Sequence, residues 1–205
     1  MLHVGLTGNV AAGKSTVSAC LARLGAHLID ADRIVRDLQQ PGTPVFHAIV
    51  ERFGPGVVAA DGALDRPALR ARILADDAER RALEAIVHPA VAVERAHALD
   101  AARAAGATVA ISDIPLLFEV MDPAGFDAVV LVDAPAPLRQ QRLVERRGLA
   151  ADEAARLVAA QAPSAPKRAH STFVLDNDAD PAELERRAGL VWRALLARAR
   201  TPGPA

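Results

Sequence analysis

Residues Gly8-Asn9-Val10-Ala11-Ala12-Gly13-Lys14-Ser15 satisfy the pattern G-x-x-x-x-G-K-[ST] at every specified position. The run constrains the fold because it works only as a tight turn between a strand and a helix. Both flanks comply. Leu2, Val4 and Leu6 alternate with smaller residues up to Thr7-Gly8, which predicts a strand. From Lys14 the period changes: Val17, Cys20, Leu21 and Leu24 fall on one helical face, and Gly25 supplies a left-handed stop. Glycines let the loop backbone curl until successive N–H groups converge, and the helix N-terminus adds partial positive charge. Phosphate oxygens suit such a cradle. Lys14 is placed to reach β- and γ-phosphates and Ser15 to offer a hydroxyl to Mg2+. The motif therefore points to ATP with magnesium and says nothing about the reaction that follows.

Downstream, Ala26–Asp30 reads as a second short strand. Residues 43–105 contain no convincing strand; helical patterns there are punctuated by Gly54-Pro55-Gly56 and Asp61-Gly62, and Pro89 is expected to open a long helix ending near Gly106. Thr108–Asp113 and Ala128–Asp133 are apolar runs bounded by turn residues, as in strands buried on both faces. Thr172–Asp176 is the last strand, and Asp180-Pro181-Ala182-Glu183 starts the final helix with an N-cap, Pro at N1 and Glu at N3. The tail Thr201–Ala205 is expected to be disordered. Strands interleaved with helices predict an α/β protein with a five-stranded parallel sheet flanked by helices. The helical stretch between the second and third strands is too long for a simple crossover and reads as a substrate-covering insertion. The arginine-rich helical stretch 136–168 lies where a mobile lid would sit.

Length and composition narrow the class. The 205 residues make one domain, or one domain carrying a lid or insertion. With 51% hydrophobic and 24% charged residues and a formal charge of −1, there is no global attraction to nucleic acid or to anionic membrane. Aromatics are 3% with no Tyr, which leaves few surfaces for stacking nucleobases. One cysteine, Cys20, fits a reducing compartment, and no apolar run is long enough to span a bilayer. Met1-Leu2-His3-Val4 passes straight into the first strand without a basic leader, so a cytoplasmic protein is expected.

Two acidic segments bear on the acceptor. Asp30-Ala31-Asp32 follows the second strand, and carboxylates at the carboxyl end of a parallel strand stand over the ligand crevice. One of them can accept the proton of an attacking hydroxyl; equally, either can cap the helix beginning near Arg33. Asp113 ends the third strand, where a carboxylate can hold the metal or its water shell. Leu116 and Leu117 read as core.

Taken in order, Gly5-Leu6-Thr7-Gly8, Leu24-Gly25-Ala26, Asp30-Ala31-Asp32, Pro41-Gly42, Phe53-Gly54, Asp61-Gly62, Asp65-Arg66, His88-Pro89, Pro115-Leu116-Leu117-Phe118-Glu119, Gln161 and Asp176-Asn177 resemble the dephospho-coenzyme A kinase family from about residue 2 to 190. The resemblance implies transfer of the ATP γ-phosphoryl group to the ribose 3′-hydroxyl of dephospho-coenzyme A. It implies one kinase domain over 1–205, with a P-loop NTPase kinase core at about 1–40, 107–135 and 170–200, an acceptor-binding helical region at 41–106 and a lid at 136–168. It assigns ATP binding to Gly8 through Thr16 (Gly8, Asn9, Val10, Ala11, Ala12, Gly13, Lys14, Ser15, Thr16) with Arg142, Arg146 and Asn177. Asp32, Lys14 and Arg142 become the catalytic set, with Asp32 as base. Acceptor contacts fall to Asp32, His88 and Leu117, and Mg2+ to Ser15 and, through water, Asp113. The partners are then the two small molecules, with no nucleic acid or membrane, and the chain a monomer or weak oligomer.

The departures from the family pattern are Ala11 and Ala12, where a glycine and a serine are common, Arg147 for a frequent Asp, and Thr172 for a usual Asp. Alanine restricts a backbone that can require positive φ. Among rival readings, a nucleoside monophosphate kinase shares the core but not the Asp-Ala-Asp and Pro-Leu-Leu-Phe-Glu series. A non-catalytic nucleotide sensor would keep the loop without a base, and a metal protein would need ligand spacing that the six His lack.

Overall fold

The computed structural model describes residues 1–200; the tail Thr201–Ala205, expected to be disordered, lies outside the described residues. In chain order the elements are β1 (Leu2–Gly8), α1 (Lys14–Arg23), β2 (His27–Asp30), α2 (Ala31–Leu38), α3 (Pro44–Phe53), α4 (Arg66–Ala75), α5 (Asp77–Ala104), β3 (Val109–Asp113), α6 (Leu117–Val120), β4 (Ala128–Asp133), α7 (Ala136–Arg147), α8 (Ala151–Ala159), α9 (Ser164–Ala169), β5 (Phe173–Asp176) and α10 (Pro181–Arg200). The chain forms two compact units, one made of Met1–Ile29 and the chain from Ala102 onward, the other of Asp30–Ala101.

The first unit is built on a five-stranded sheet of order β2-β3-β1-β4-β5, with β1 parallel to β3 and β4, and β4 parallel to β5. β1 is therefore central. Chain leaving β1 runs to the β2 edge, whereas chain leaving β3 crosses to β4 on the other side, which makes the carboxyl ends of β1 and β3 the topological switch point. Burial on both faces explains the apolar runs: every residue of β4 is buried. On one face Val17 and Leu21 of α1 pack with Leu184, Ala188, Val191, Trp192 and Leu195 of α10 against Val4, Leu6, Ile111 and Val130. On β1, a Cβ on Gly5 would lie 2.5 Å from the Leu117 side chain, so glycine there admits Leu117 to the core. α1 stops at Arg23, leaving Leu24 as C-cap and 43% exposed rather than on the core face, and Gly25 takes φ 106. Asp180 caps α10 by accepting from the Glu183 N–H at 2.8 Å, as expected.

The second unit buries Val45, Phe46, Ile49 and Phe53 of α3 with Val57, Leu64, Leu69 and Val87. Asp61-Gly62 forms the turn of a single antiparallel bridge, Val58 to Leu64, and no strand occurs in residues 43–105, as expected. One expectation fails. Pro89 does not open a helix: it lies inside α5, with His88 in mid-helix rather than at a helix start. The apolar series Leu83, Ile86, Val87, Ala90 and Val91 continues through it and packs on the α3 cluster. An interior proline costs about 3 kcal/mol, and the combined burial of Val87 with the partly buried Leu83, Ile86, Ala90 and Val91, at about 0.8 kcal/mol per buried methylene, carries the helix through.

Replacing exposed Pro89 with Ala restores a backbone donor, and we expect stabilisation of about 1–3 kcal/mol by urea denaturation. A lower midpoint would mean that the ring's own contacts outweigh the missing bond.

Candidate active site

The phosphate loop has no room for side chains at its two ends. Gly8 pairs with Val132, and a Cβ on it would meet the Val132 carbonyl oxygen at 2.6 Å. Gly13, the N-cap of α1, has φ 100, and a Cβ there would lie 2.2 Å from Asn177 Nδ2. Between them the Ala12 N–H donates to the Asn9 carbonyl at 3.0 Å, closing the turn. No side chain caps α1, and among the described residues the N–H groups of Gly13, Lys14 and Ser15 have no protein acceptor. The result is a concave row of donors at a helix N-terminus, a form suited to an anion.

Both departures inside the loop have a structural account. Ala12 is fully buried and joins the main core. Ala11 takes φ 58, the one positive φ of a non-glycine among the described residues, and its methyl packs with Val10, Leu149 and Leu157 against Leu143, Ala154 and Val158 of α7 and α8. Left-handed backbone costs about 1–2 kcal/mol for an L-residue.

Lys14 Nζ donates to Asp113 Oδ1 in a pair whose side chains are 17% and 13% exposed. Asp113 ends β3 in register with Leu6 of β1, so parallel pairing delivers both groups to the switch point. Exposed Ser15 and half-buried Asp113 are oxygen donors of the kind Mg2+ takes, and a protein share of one or two ligands beside phosphates and waters is usual for it. No cluster of three or more His, Cys, Asp or Glu occurs among the described residues.

Asn177 is buried directly after β5, its N–H held by the Asp133 carbonyl at 2.7 Å. Its Nδ2 donates to the Ala12 carbonyl at 2.7 Å and its Oδ1 accepts from Arg142 at 3.1 Å. Arg142, on α7, also donates to the carbonyls of Asn177 at 3.1 Å and Ala11 at 3.4 Å. Burial, and secondarily the charge of Arg146, push its pKa down. Arg146 itself is exposed, as is Arg147. Thr172 keeps an acceptor where an Asp is usual: its Oγ1 accepts from the Val129 N–H at 3.0 Å.

Several participants were not singled out from sequence. Gln161, noted only as a motif residue, accepts the Val10 N–H on Oε1 at 2.7 Å. Ser164, Lys167 and Arg168 bond to Asn9, Glu119 and Asp133 from α9. Arg139 is buried against the Ala134 carbonyl at 3.1 Å, burial lowering its pKa and Asp133 partly opposing that. The only sequence signal of Arg139, Lys167 and Arg168 is the basic character of the stretch, which reads by default as a solvated helix face.

In the second unit, the choice between the two aspartates resolves by helix phase. α2 begins at Ala31, so Asp30 is its N-cap, accepting from the Arg33 N–H at 2.9 Å, and it also lies 3.7 Å from Arg36. Asp32 falls in the first turn, exposed, with no hydrogen bond or ion pair among the described residues. His88 is exposed on α5. Leu117, expected among the acceptor contacts, must be corrected to a core residue: it is 0% exposed, packed against Gly5, while Leu116 beside it is 42% exposed.

A donor-lined loop at the switch point of a parallel sheet, with an arginine helix bonded back onto its carbonyls, makes this a P-loop kinase. Residues 2–183 match the family model described as Dephospho-CoA kinase, and the chain belongs to that family. The dephospho-CoA kinase of Streptomyces avermitilis is 48% identical, with 99% of this chain and 98% of that protein covered. That of Frankia casuarinae is 46% identical, with 97% and 85% covered. A crystal structure from Thermus thermophilus superimposes with a TM-score of 0.81 at 33% identity, covering 98% of each chain.

Replacing Asn177 with Ala strands the buried Ala12 carbonyl. We expect a loss of about 1–3 kcal/mol in denaturant-measured stability; a change below about 0.5 kcal/mol would mean that the carbonyl finds another donor.

Proposed function

We infer that the chain transfers the γ-phosphoryl group of ATP to the ribose 3′-hydroxyl of dephospho-coenzyme A, giving coenzyme A and ADP in the final step of coenzyme A biosynthesis. The observation that carries this reading is the family match over residues 2–183, joined to a phosphate loop at the switch point. In the reaction the 3′-oxygen forms a bond to the γ-phosphorus, the bond from that phosphorus to the β,γ-bridging oxygen breaks, and ADP departs with the electron pair. Asp32 accepts the hydroxyl proton. Its support is the resemblance, its place after the carboxyl end of β2 and its uncommitted carboxylate, in contrast to Asp30, which is spent on capping.

Gly8 to Thr16 form the phosphate site, its acceptor-free N–H groups at Gly13, Lys14 and Ser15 holding the phosphates, and Lys14 exchanges Asp113 for phosphate oxygens. Ser15 and, through water, Asp113 would hold Mg2+, which when bound would supply positive charge to the phosphates. Arg142 stabilises the charge of the transferring group. Among the cations bonded near the loop, Lys14, Lys167 and Arg168 each face a carboxylate, whereas Arg142 bonds only neutral oxygens, so its charge stands ready for phosphate. Arg146 adds to the same clamp, and Asn177 shapes the nucleotide side of the loop. Residues 41–106 bind the acceptor, with His88 among them, and 136–168 act as the lid. The partners are small molecules, and the setting is a cytoplasmic monomer or weak oligomer.

Purified protein with ATP and Mg2+ is expected to release ADP only when dephospho-coenzyme A is present; equal turnover with adenylate would instead favour a nucleoside monophosphate kinase. Asp32→Asn is expected to lower kcat by roughly 10²–10⁴-fold, and an unchanged kcat would leave it a surface residue. Lys14→Ala is expected to abolish turnover, and wild-type rates there would overturn the phosphate-loop assignment.

A further inference from the structure

Lys167 is a buried cation that the reaction as described does not use. Its side chain is 5% exposed, and its ammonium donates to Asn9 Oδ1 at 2.7 Å and to Glu119 Oε1 at 2.6 Å. A buried ammonium is tolerated only when paired and hydrogen-bonded. Glu119 supplies the opposite charge. The second partner is a neutral carboxamide in the phosphate loop, which neutralisation alone does not require. Asn9 is itself 4% exposed, and its other end is also taken, Nδ2 donating to Ser164 Oγ at 3.2 Å. Ser164 in turn donates to Asp133 Oδ1 at 2.8 Å at the end of β4. The next residue is held from the same stretch of chain, the Val10 N–H by Gln161.

These bonds fall on the first two variable residues of the loop, ahead of the N–H groups that remain without protein acceptors. The Asn9 carbonyl closes the turn through Ala12. Rotation about Asn9 would therefore swing the turn and re-aim every later donor. We propose that Lys167 is a positioning residue for phosphoryl transfer: by pinning Asn9 to Glu119 it sets the curvature of the phosphate loop, and so the grip on nucleotide phosphates, without touching substrate. The inference rests on the reading of Gly8–Ser15 as the ATP site. It does not depend on which acceptor is used.

The test compares Lys167→Met, which keeps the stem and removes the charge, with Asn9→Ala in the full-length chain. Direct ADP binding by calorimetry needs no acceptor, so an error in the acceptor assignment would leave this readout intact. Lys167→Met is expected to weaken ADP binding at least about tenfold and to lower kcat/KM for ATP roughly 10–100-fold, as for misplacement at a distance from the chemistry, with KM for the acceptor within about twofold. Asn9→Ala is expected to reproduce the ATP-side loss, and the double variant to add less than about twofold, because both changes break one link. If Lys167→Met lowered the melting temperature but left ADP affinity and kcat/KM for ATP within about twofold of wild type, Lys167 would be a structural ion pair and the proposal overturned. Multiplicative losses in the double variant would overturn it too. Should Lys167→Met fail to fold, Asn9→Ala decides: weakened ADP binding supports the proposal, and unaltered binding defeats it.

Discussion

The turn from Gly8 to Lys14 must reverse the chain at the end of the central strand while leaving the N–H groups at its far end, Gly13 to Ser15, without protein acceptors, and the first unit is arranged around that demand. Gly8 lies against the β4 backbone and Gly13 against Asn177, with no space for a Cβ at either. A peptide left without partners relaxes toward pairing its own donors, because a buried unpaired group costs about 1–3 kcal/mol. The shape is therefore imposed from outside. Asn177 and Arg142 hold the loop carbonyls, Gln161 takes the Val10 N–H, and Lys167 takes Asn9.

These restraints come from the chain between β4 and β5 and from the residue that follows β5. Helices α7 to α9 are thus a structural half of the loop. Charge is distributed accordingly. Arg168 forms paired hydrogen bonds to Asp176 and Asp133, which raise its pKa, and it is committed to joining the ends of β4 and β5. Arg142 has no such carboxylate, and burial pulls its pKa down. An arginine that is partly desolvated and bonded only to carbonyls gains most when a polyanion arrives, because nothing must first be given up but neutral hydrogen bonds.

Much of this was legible in the sequence, and the boundary of legibility has a physical cause. β1, β3, β4 and β5 lie within a residue of the expected limits, β3 and β4 because strands buried on both faces read as unbroken apolar runs. The loop was legible because its chemistry is local. What failed was either a matter of phase or a matter of distance. Asp30 and Asp32 satisfy the same capping rule, and only the start of α2 at Ala31 separates them. Pro89 obeys a rule about proline that the apolar face of α5 overrides. Leu116 and Leu117 both read as core, yet only Leu117 is, admitted by Gly5 far away in sequence, while Leu116 is 42% exposed. Lys167 and Ser164 find their loop partner, Asn9, more than 150 positions away, and no spacing rule reaches that far.

The two alanines in the loop show how closely balanced its restraint is. Ala12 adopts an ordinary backbone and adds a methyl to the core, so it conflicts with nothing. Ala11 carries a left-handed penalty of about 1–2 kcal/mol, against which its partly buried methyl returns at most about 0.8 kcal/mol. Alanine also lowers the entropy of the unfolded chain relative to glycine, by about 0.4–1 kcal/mol. These terms nearly cancel, so residue 11 does not decide the shape of the loop. Its methyl does decide what α7 and α8 rest upon, since it joins Val10 beneath Leu143, Ala154 and Val158. A glycine there would leave the loop as curved and the helices over it less well supported. The loop's geometry is thus owed to its neighbours, and its composition is free to serve them.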